Sequence, residues 1–166
     1  MSTQDRFRIG ILGASGYTGA ELLRLLRYHP QAEIAALTAD RQAGKPIGAV
    51  FPHLAGEDLP ELVTIGEVDW SALDVVFCGL PHGTTQEVIA GLPRHLKVID
   101  LSADFRLTDI ATYAEWYGHE HRAPELQREA VYGLTEIERE LRTKLFHDDH
   151  WVMDYRRLRI VAKRLN

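Results

Sequence analysis

Apolar residues come in short blocks, and their period changes along the chain. "RFRIGIL" (Arg6 to Leu12) is an isoleucine-rich run that predicts a buried strand. In "AELLRLLRYHP" (Ala20 to Pro30) the period becomes helical: Leu22, Leu23, Leu25 and Leu26 form one stripe, Arg24 and Arg27 fall outside it, and Pro30 stops the helix. "AEIAALTAD" (Ala32 to Asp40) predicts a second strand. Arg41 to Pro60 is rich in Gly and Pro and reads as a long irregular connection. "LDVVFCGL" (Leu73 to Leu80) is apolar on both faces, as a central parallel strand must be. "TTQEVIAGL" (Thr84 to Leu92) predicts a short helix, with Thr84 placed to cap it, and "KVIDLSA" (Lys97 to Ala103) another strand. "DIATYAEWY" and "TEIERELRTKL" read as helices, the latter with Thr135 and Glu138 at capping-box spacing. Trp70, Trp116 and Trp151 are read as packing residues.

Strands alternating with helices imply an α/β fold with a parallel sheet and right-handed crossovers. Residues 1–145 are expected to form one domain. Residues 146–166 form a divergent tail, read as a last strand or helix of the same domain. There is no internal repeat and no low-complexity tract.

Composition narrows the function classes. The chain has 166 residues, 45% hydrophobic, with a formal net charge of −5. That size supports one real core. The acidic balance argues against nucleic-acid or anionic-membrane partners, which need a basic face. No apolar run approaches the roughly 20 residues that span a bilayer. "MSTQDRFRIG" lacks the apolar core of a secretion signal, and the single cysteine, Cys78, fits a reducing cytoplasm.

The candidate chemistry begins where the first strand meets the first helix. Gly10, Gly13, Gly16 and Gly19 recur at a spacing of three. The loop Gly13, Ala14, Ser15, Gly16, Tyr17, Thr18, Gly19 lets backbone approach a ligand, and the helix N-terminus behind it favours an anion. A diphosphate suits it, with the Ser15 and Thr18 hydroxyls as extra donors. The dinucleotide fingerprint is G-x-G-x-x-G; here it is G-x-x-G-x-x-G. A packing loop without a ligand is the alternative. At the end of the second strand, Asp40 pulls toward NAD while Thr38, Arg41 and Lys45 pull toward NADP, which is favoured. Leu80, Pro81, His82 and Gly83 follow a central strand, where ligands of open α/β sheets bind. Cys78 lies in an apolar strand with no base beside it and reads as inert packing. In "HDDH" (His147 to His150) consecutive side chains point different ways, so no metal site is expected.

"LSADFRL" (Leu101 to Leu107) makes the pattern specific. Together with "GASGYTGAELLRLL", "VFPHLAG", "GLPHG" and "VYGLTEI" it closely resembles the N-acetyl-gamma-glutamyl-phosphate reductases, NADP-dependent enzymes of arginine biosynthesis, over residues 8–140. The resemblance implies a Rossmann-type, doubly wound, three-layer αβα domain that binds NADP, followed in the family by a substrate domain absent from this chain. It implies reduction of N-acetylglutamyl phosphate to a semialdehyde through a cysteine thioester. By this likeness Gly13 to Gly19 hold the diphosphate. Thr38 and Arg41 face the 2′-phosphate, Leu80 to Gly83 line the cofactor crevice, and Ser102 and Arg106 sit at the substrate edge. The family's strand before its Asn-Pro-Gly-Cys nucleophile corresponds to "LRIVA" (Leu158 to Ala162), after which the chain ends. Neither the nucleophile nor the family's catalytic histidine is present, so no catalytic residue is assigned, and the chain is expected to bind cofactor without turnover, as a fragment or a naturally short form. Two alternatives remain. One is a non-catalytic Rossmann module whose basic tail "YRRLRIVAKRLN" docks a partner or a second copy. The other is a related acyl-phosphate reductase of lysine biosynthesis.

Overall fold

The computed structural model describes residues 6–133 and the backbone of 146–147 and 150–151. The chain parts into two compact units, Met1–Ala130 and Val131–Asn166.

Five strands of the first unit form one parallel sheet: β1 (Phe7–Leu12), β2 (Ala32–Thr38), β3 (Leu62–Val63), β4 (Val75–Cys78) and β5 (Lys97–Asp100), in the order β3-β2-β1-β4-β5. The order reverses between β1 and β4. Alternation along each strand fills two cores. Ile9, Ile11 and Leu37 face a core that receives Leu23 of helix α1 (Tyr17–Leu26). Leu12, Ala36, Val76 and Cys78 face the opposite one, which receives Val88 and Ile89 of α3 (Thr85–Ala90). Helices therefore cover both faces of the sheet, the three-layer αβα arrangement expected of a doubly wound fold.

The connection from Arg41 to Pro60 is more ordered than its composition predicts. It holds the short helix α2 (Ile47–Val50) and a 3₁₀ turn, Pro52–Leu54, because Ile47 and Leu54 are buried against the α1-side core. Two further helices, α4 (Ile110–Tyr117) and α5 (Pro124–Gln127), follow β5. Asp109 caps α4 by accepting from the Thr112 N–H, and Gly118 ends it in the left-handed conformation.

Three expectations are corrected. Leu25 is not on the buried stripe of α1: it is 56% exposed, lying about 200° around the helix from Leu23, whereas Arg27 lies about 40° from Leu23. The Arg27 guanidinium is accordingly tucked in and paired with Glu57 at 2.5 Å. Trp116 is 76% exposed on the outer side of α4 and packs into no core of the described residues, while half-buried Trp70 packs against the α3-side core and donates to the Ile65 carbonyl. Thr84 gives α3 no side-chain cap; its hydroxyl donates back to the Pro81 carbonyl.

In the second unit, β6 (Phe146–His147) and β7 (His150–Trp151) pair antiparallel, His147 opposite His150. The expected "TEIERELRTKL" helix with its Thr135–Glu138 box, the metal-binding question at His147 to His150, the Trp151 side chain and the tail strand "LRIVA" lie outside the described residues.

Candidate functional site

Loops at the carboxyl ends of β1, β2, β4 and β5 gather the candidate residues. At the first, Gly13 has φ +74°, and a Cβ there would stand 2.7 Å from the Gly79 carbonyl oxygen at the end of β4. Only glycine lets the two loops pass that closely. The Ala14 N–H donates to the Thr38 carbonyl at 2.8 Å, and the Gly13 N–H to the Thr38 hydroxyl at 3.3 Å. The Gly16 N–H closes the turn onto the Gly13 carbonyl. Gly19 lies against Ala14 so tightly that a Cβ would be 2.5 Å from the Ala14 carbonyl oxygen.

Gly16 differs from these. It is the N-cap residue of α1 and supplies no side-chain cap, and a Cβ there would meet only the Gly13 carbonyl, at 3.4 Å. Gly16, Tyr17 and Thr18 are exposed, and Ser15 is half-buried. Among the described residues nothing caps this end of α1. A ten-residue helix thus opens on solvent with its first N–H groups and the positive end of its dipole free. The space in front is where a side chain at position 16 would go. That combination fits a diphosphate.

Thr38, expected from the family likeness to face a 2′-phosphate, is 1% exposed, and its hydroxyl accepts from the Gly13 N–H of the glycine loop. Asp40, Arg41 and Lys45 stay exposed beyond it, with Lys45 Nζ donating to Gln42 Oε1.

The turn after β4 is tied to the loop after β5. Leu80 and Gly83 are half-buried, Pro81 and His82 more open. Asp104, fully buried, accepts from the Gly83 N–H at 2.8 Å and the Thr85 N–H at 3.1 Å, and its Oδ1 lies 2.5 Å from His82 Nδ1. Ser102 donates to Asp100 Oδ2 and receives the Asp104 N–H. Arg106 is exposed, its Nε donating to the Ser102 carbonyl. Burial raises the Asp100 carboxyl above its ordinary range. The sequence reading missed Asp104 as a site residue. The only signal for it was its place inside "LSADFRL", since its partners lie 19 and 21 residues away.

Cys78 is buried, and desolvation pushes its thiol up to about 11. It is no nucleophile at neutral pH. Among the described residues no group of side chains is arranged to hold a metal ion, and no helix is long and apolar enough to cross a membrane.

Residues 8–144 match the family described as "Semialdehyde dehydrogenase, NAD binding domain". A probable chloroplastic N-acetyl-gamma-glutamyl-phosphate reductase of Oryza sativa subsp. japonica is 66% identical over 133 residues, 80% of this chain and 32% of that protein. The N-acetyl-gamma-glutamyl-phosphate reductase of Rhodospirillum rubrum is 61% identical over 140 residues, 81% of this chain and 40% of that protein. The chain thus spans about a third to two fifths of the length of these curated relatives. Among solved structures, the aspartate semialdehyde dehydrogenase of Candida albicans, crystallised with NADP, is similar in fold, with TM-score 0.53 and 23% identity over 72% of this chain and 41% of that one.

Proposed function

The chain belongs to the semialdehyde dehydrogenase NAD-binding domain family, and from that premise we propose that it is the cofactor-holding part of an N-acetyl-gamma-glutamyl-phosphate reductase, selective for NADP. The observation that carries this reading is the uncapped N-terminus of α1 behind Gly13 and Gly16. In it, the N–H groups of the first turn and the hydroxyls of Ser15 and Thr18 hold the diphosphate. Gly16 leaves room for it. Arg41, with Lys45 nearby in sequence, faces the 2′-phosphate, and Thr38 serves by holding the Gly13 N–H in place. Leu80, Pro81, His82 and Gly83 line the other half of the crevice, with Ser102 and Arg106 at the substrate edge.

When bound, the dinucleotide supplies the hydride. The residues of this chain bind and orient it, and Cys78 takes no part, being buried and protonated at neutral pH. The acyl-phosphate substrate is taken from the names of the relatives and belongs to the whole enzyme. A reducing compartment, where Cys78 stays a thiol, is the proposed setting.

Calorimetric titration tests the reading. NADP is expected to bind at least about tenfold more tightly than NAD, the worth of one charge-assisted contact to phosphate. Arg41→Ala should narrow that gap. Gly16→Val should abolish binding of both by filling the space before the helix. Binding of neither dinucleotide to the unaltered chain would sink the proposal.

A further inference from the structure

The β4–α3 turn is short, glycine-containing and open to solvent on one side, yet it carries a fully buried acid beneath it. Gly83 sits at φ +84°, and His82 keeps 34% of its side chain exposed. Under them, Asp104 accepts from the Gly83 and Thr85 N–H groups and from His82 Nδ1. Two carboxylate oxygens therefore fix the backbone on both sides of Thr84 and one ring nitrogen. The other ring face is held by aromatic neighbours: the Tyr117 ring centroid lies 4.3 Å from that of His82, and Tyr117 in turn rests against buried Tyr113 at 4.8 Å. With Nδ1 occupied, Nε2 is the ring atom left to address a ligand.

Asp104 is itself braced. Its N–H donates to Ser102 Oγ at 3.0 Å, and its carbonyl accepts from Gln86 Nε2 at 3.1 Å. The Gln86 Oε1 accepts from the Arg122 N–H at 2.6 Å. The β5 loop, α3 and, through Gln86, the loop before α5 thus converge on one residue, Asp104. An apolar residue in this place would leave the Gly83 and Thr85 N–H groups without a partner, and the same carboxylate also reaches the half-exposed His82 ring, which packing alone does not require.

We infer that Asp104 is a positioning residue for the nicotinamide half of the cofactor, acting through His82 and the Gly83 turn. The inference rests on the cofactor reading above. Its direction comes from the sheet: the strand order reverses between β1 and β4, and a dinucleotide spanning such a point places its adenosine toward β2 and its nicotinamide half over β4. The turn held by Asp104 follows β4, on the other side of β1 from β2 and Arg41.

Two ligands separate the roles: NADP, and 2′-phospho-ADP, which keeps the diphosphate and the 2′-phosphate but lacks the whole nicotinamide riboside. Asp104→Asn preserves volume but presents an N–H₂ where an acceptor is needed. His82→Gln removes the ring and leaves the buried acid with its backbone partners. In calorimetric titrations of the purified chain, both variants are expected to lose about tenfold in NADP affinity while binding the truncated ligand within about twofold of the unaltered chain. Equal losses for the two ligands, or no loss for NADP, overturn the inference. Should Asp104→Asn fail to fold, as judged by its circular-dichroism melt, His82→Gln decides by the same criterion. An unaltered chain that binds neither ligand brings down the cofactor reading and this inference with it. One that binds both, with no selective loss in the variants, brings down the inference alone.

Discussion

A side chain at position 13 meets two obstacles at once: a left-handed backbone and the Gly79 carbonyl at 2.7 Å. Constraints of that kind act locally on the backbone, and they leave a glycine in the sequence where any reader can find it. Asp104 is the opposite case, because its role is set by N–H groups 19 and 21 residues away and, beyond its place inside "LSADFRL", nothing in the sequence marks it. His121 is also of this second kind. It is buried, Nδ1 accepts from the Ala123 N–H at 3.1 Å, and Nε2 pairs with Gln127 Oε1 at 3.2 Å. The ring is therefore neutral with its proton on Nε2, and a second proton must land on the nitrogen that holds Ala123. Burial lowers its pKa below the ordinary 6.5, against the opposing pull of Gln127 and Asp104. Because the fold binds this proton less well than the unfolded chain does, the contribution of His121 is complete above pH 6.5 and is lost as pH falls through the lowered value, by at most about 1.4 kcal/mol per pH unit. Melting temperatures measured between about pH 7.5 and pH 5 should fall more steeply for the unaltered chain than for His121→Asn, whose amide oxygen can still accept from Ala123.

Helix α1 shows how an element can be read correctly and faced wrongly. Four leucines within five residues announce a helix but span too wide an arc to be one stripe. Gly19 settles the phase: with it pressed against Ala14 of the loop and Ala20 buried beside it, Leu23 turns inward and Leu25 outward. Leu23→Ala should cost about 2–5 kcal/mol in denaturant titration, whereas Leu25→Ala should stay within about 0.5 kcal/mol. The strands β1, β2, β4 and β5 were legible because each carries a short block of apolar residues, continuous in β4 and broken only by single polar residues or reduced to Val98-Ile99 in the others. β3 was not, since two residues pairing with Leu37 and Thr38 carry no period of their own. α2 and α5, at four residues each, are likewise set by tertiary contacts and not by pattern.

For the whole molecule, the proposed cofactor is also a stabiliser, because it binds the folded chain and not the unfolded one. At a hundred times its dissociation constant NADP should add about 2.7 kcal/mol and raise the melting temperature by roughly 5–10 °C for a chain of this size. NAD at the same concentration should raise it less, and a differential scanning measurement compares the two directly. That experiment needs no substrate, which suits a chain that covers about a third to two fifths of its curated relatives. The contact between Gly19 and Ala14 has a last consequence. Helix and loop interlock so closely that not even a methyl group fits between them, so the hollow at their junction is cast rather than moulded. On the proposed cofactor reading, an arriving diphosphate would find amide hydrogens already aimed at it, with no rearrangement of helix or loop needed to receive it.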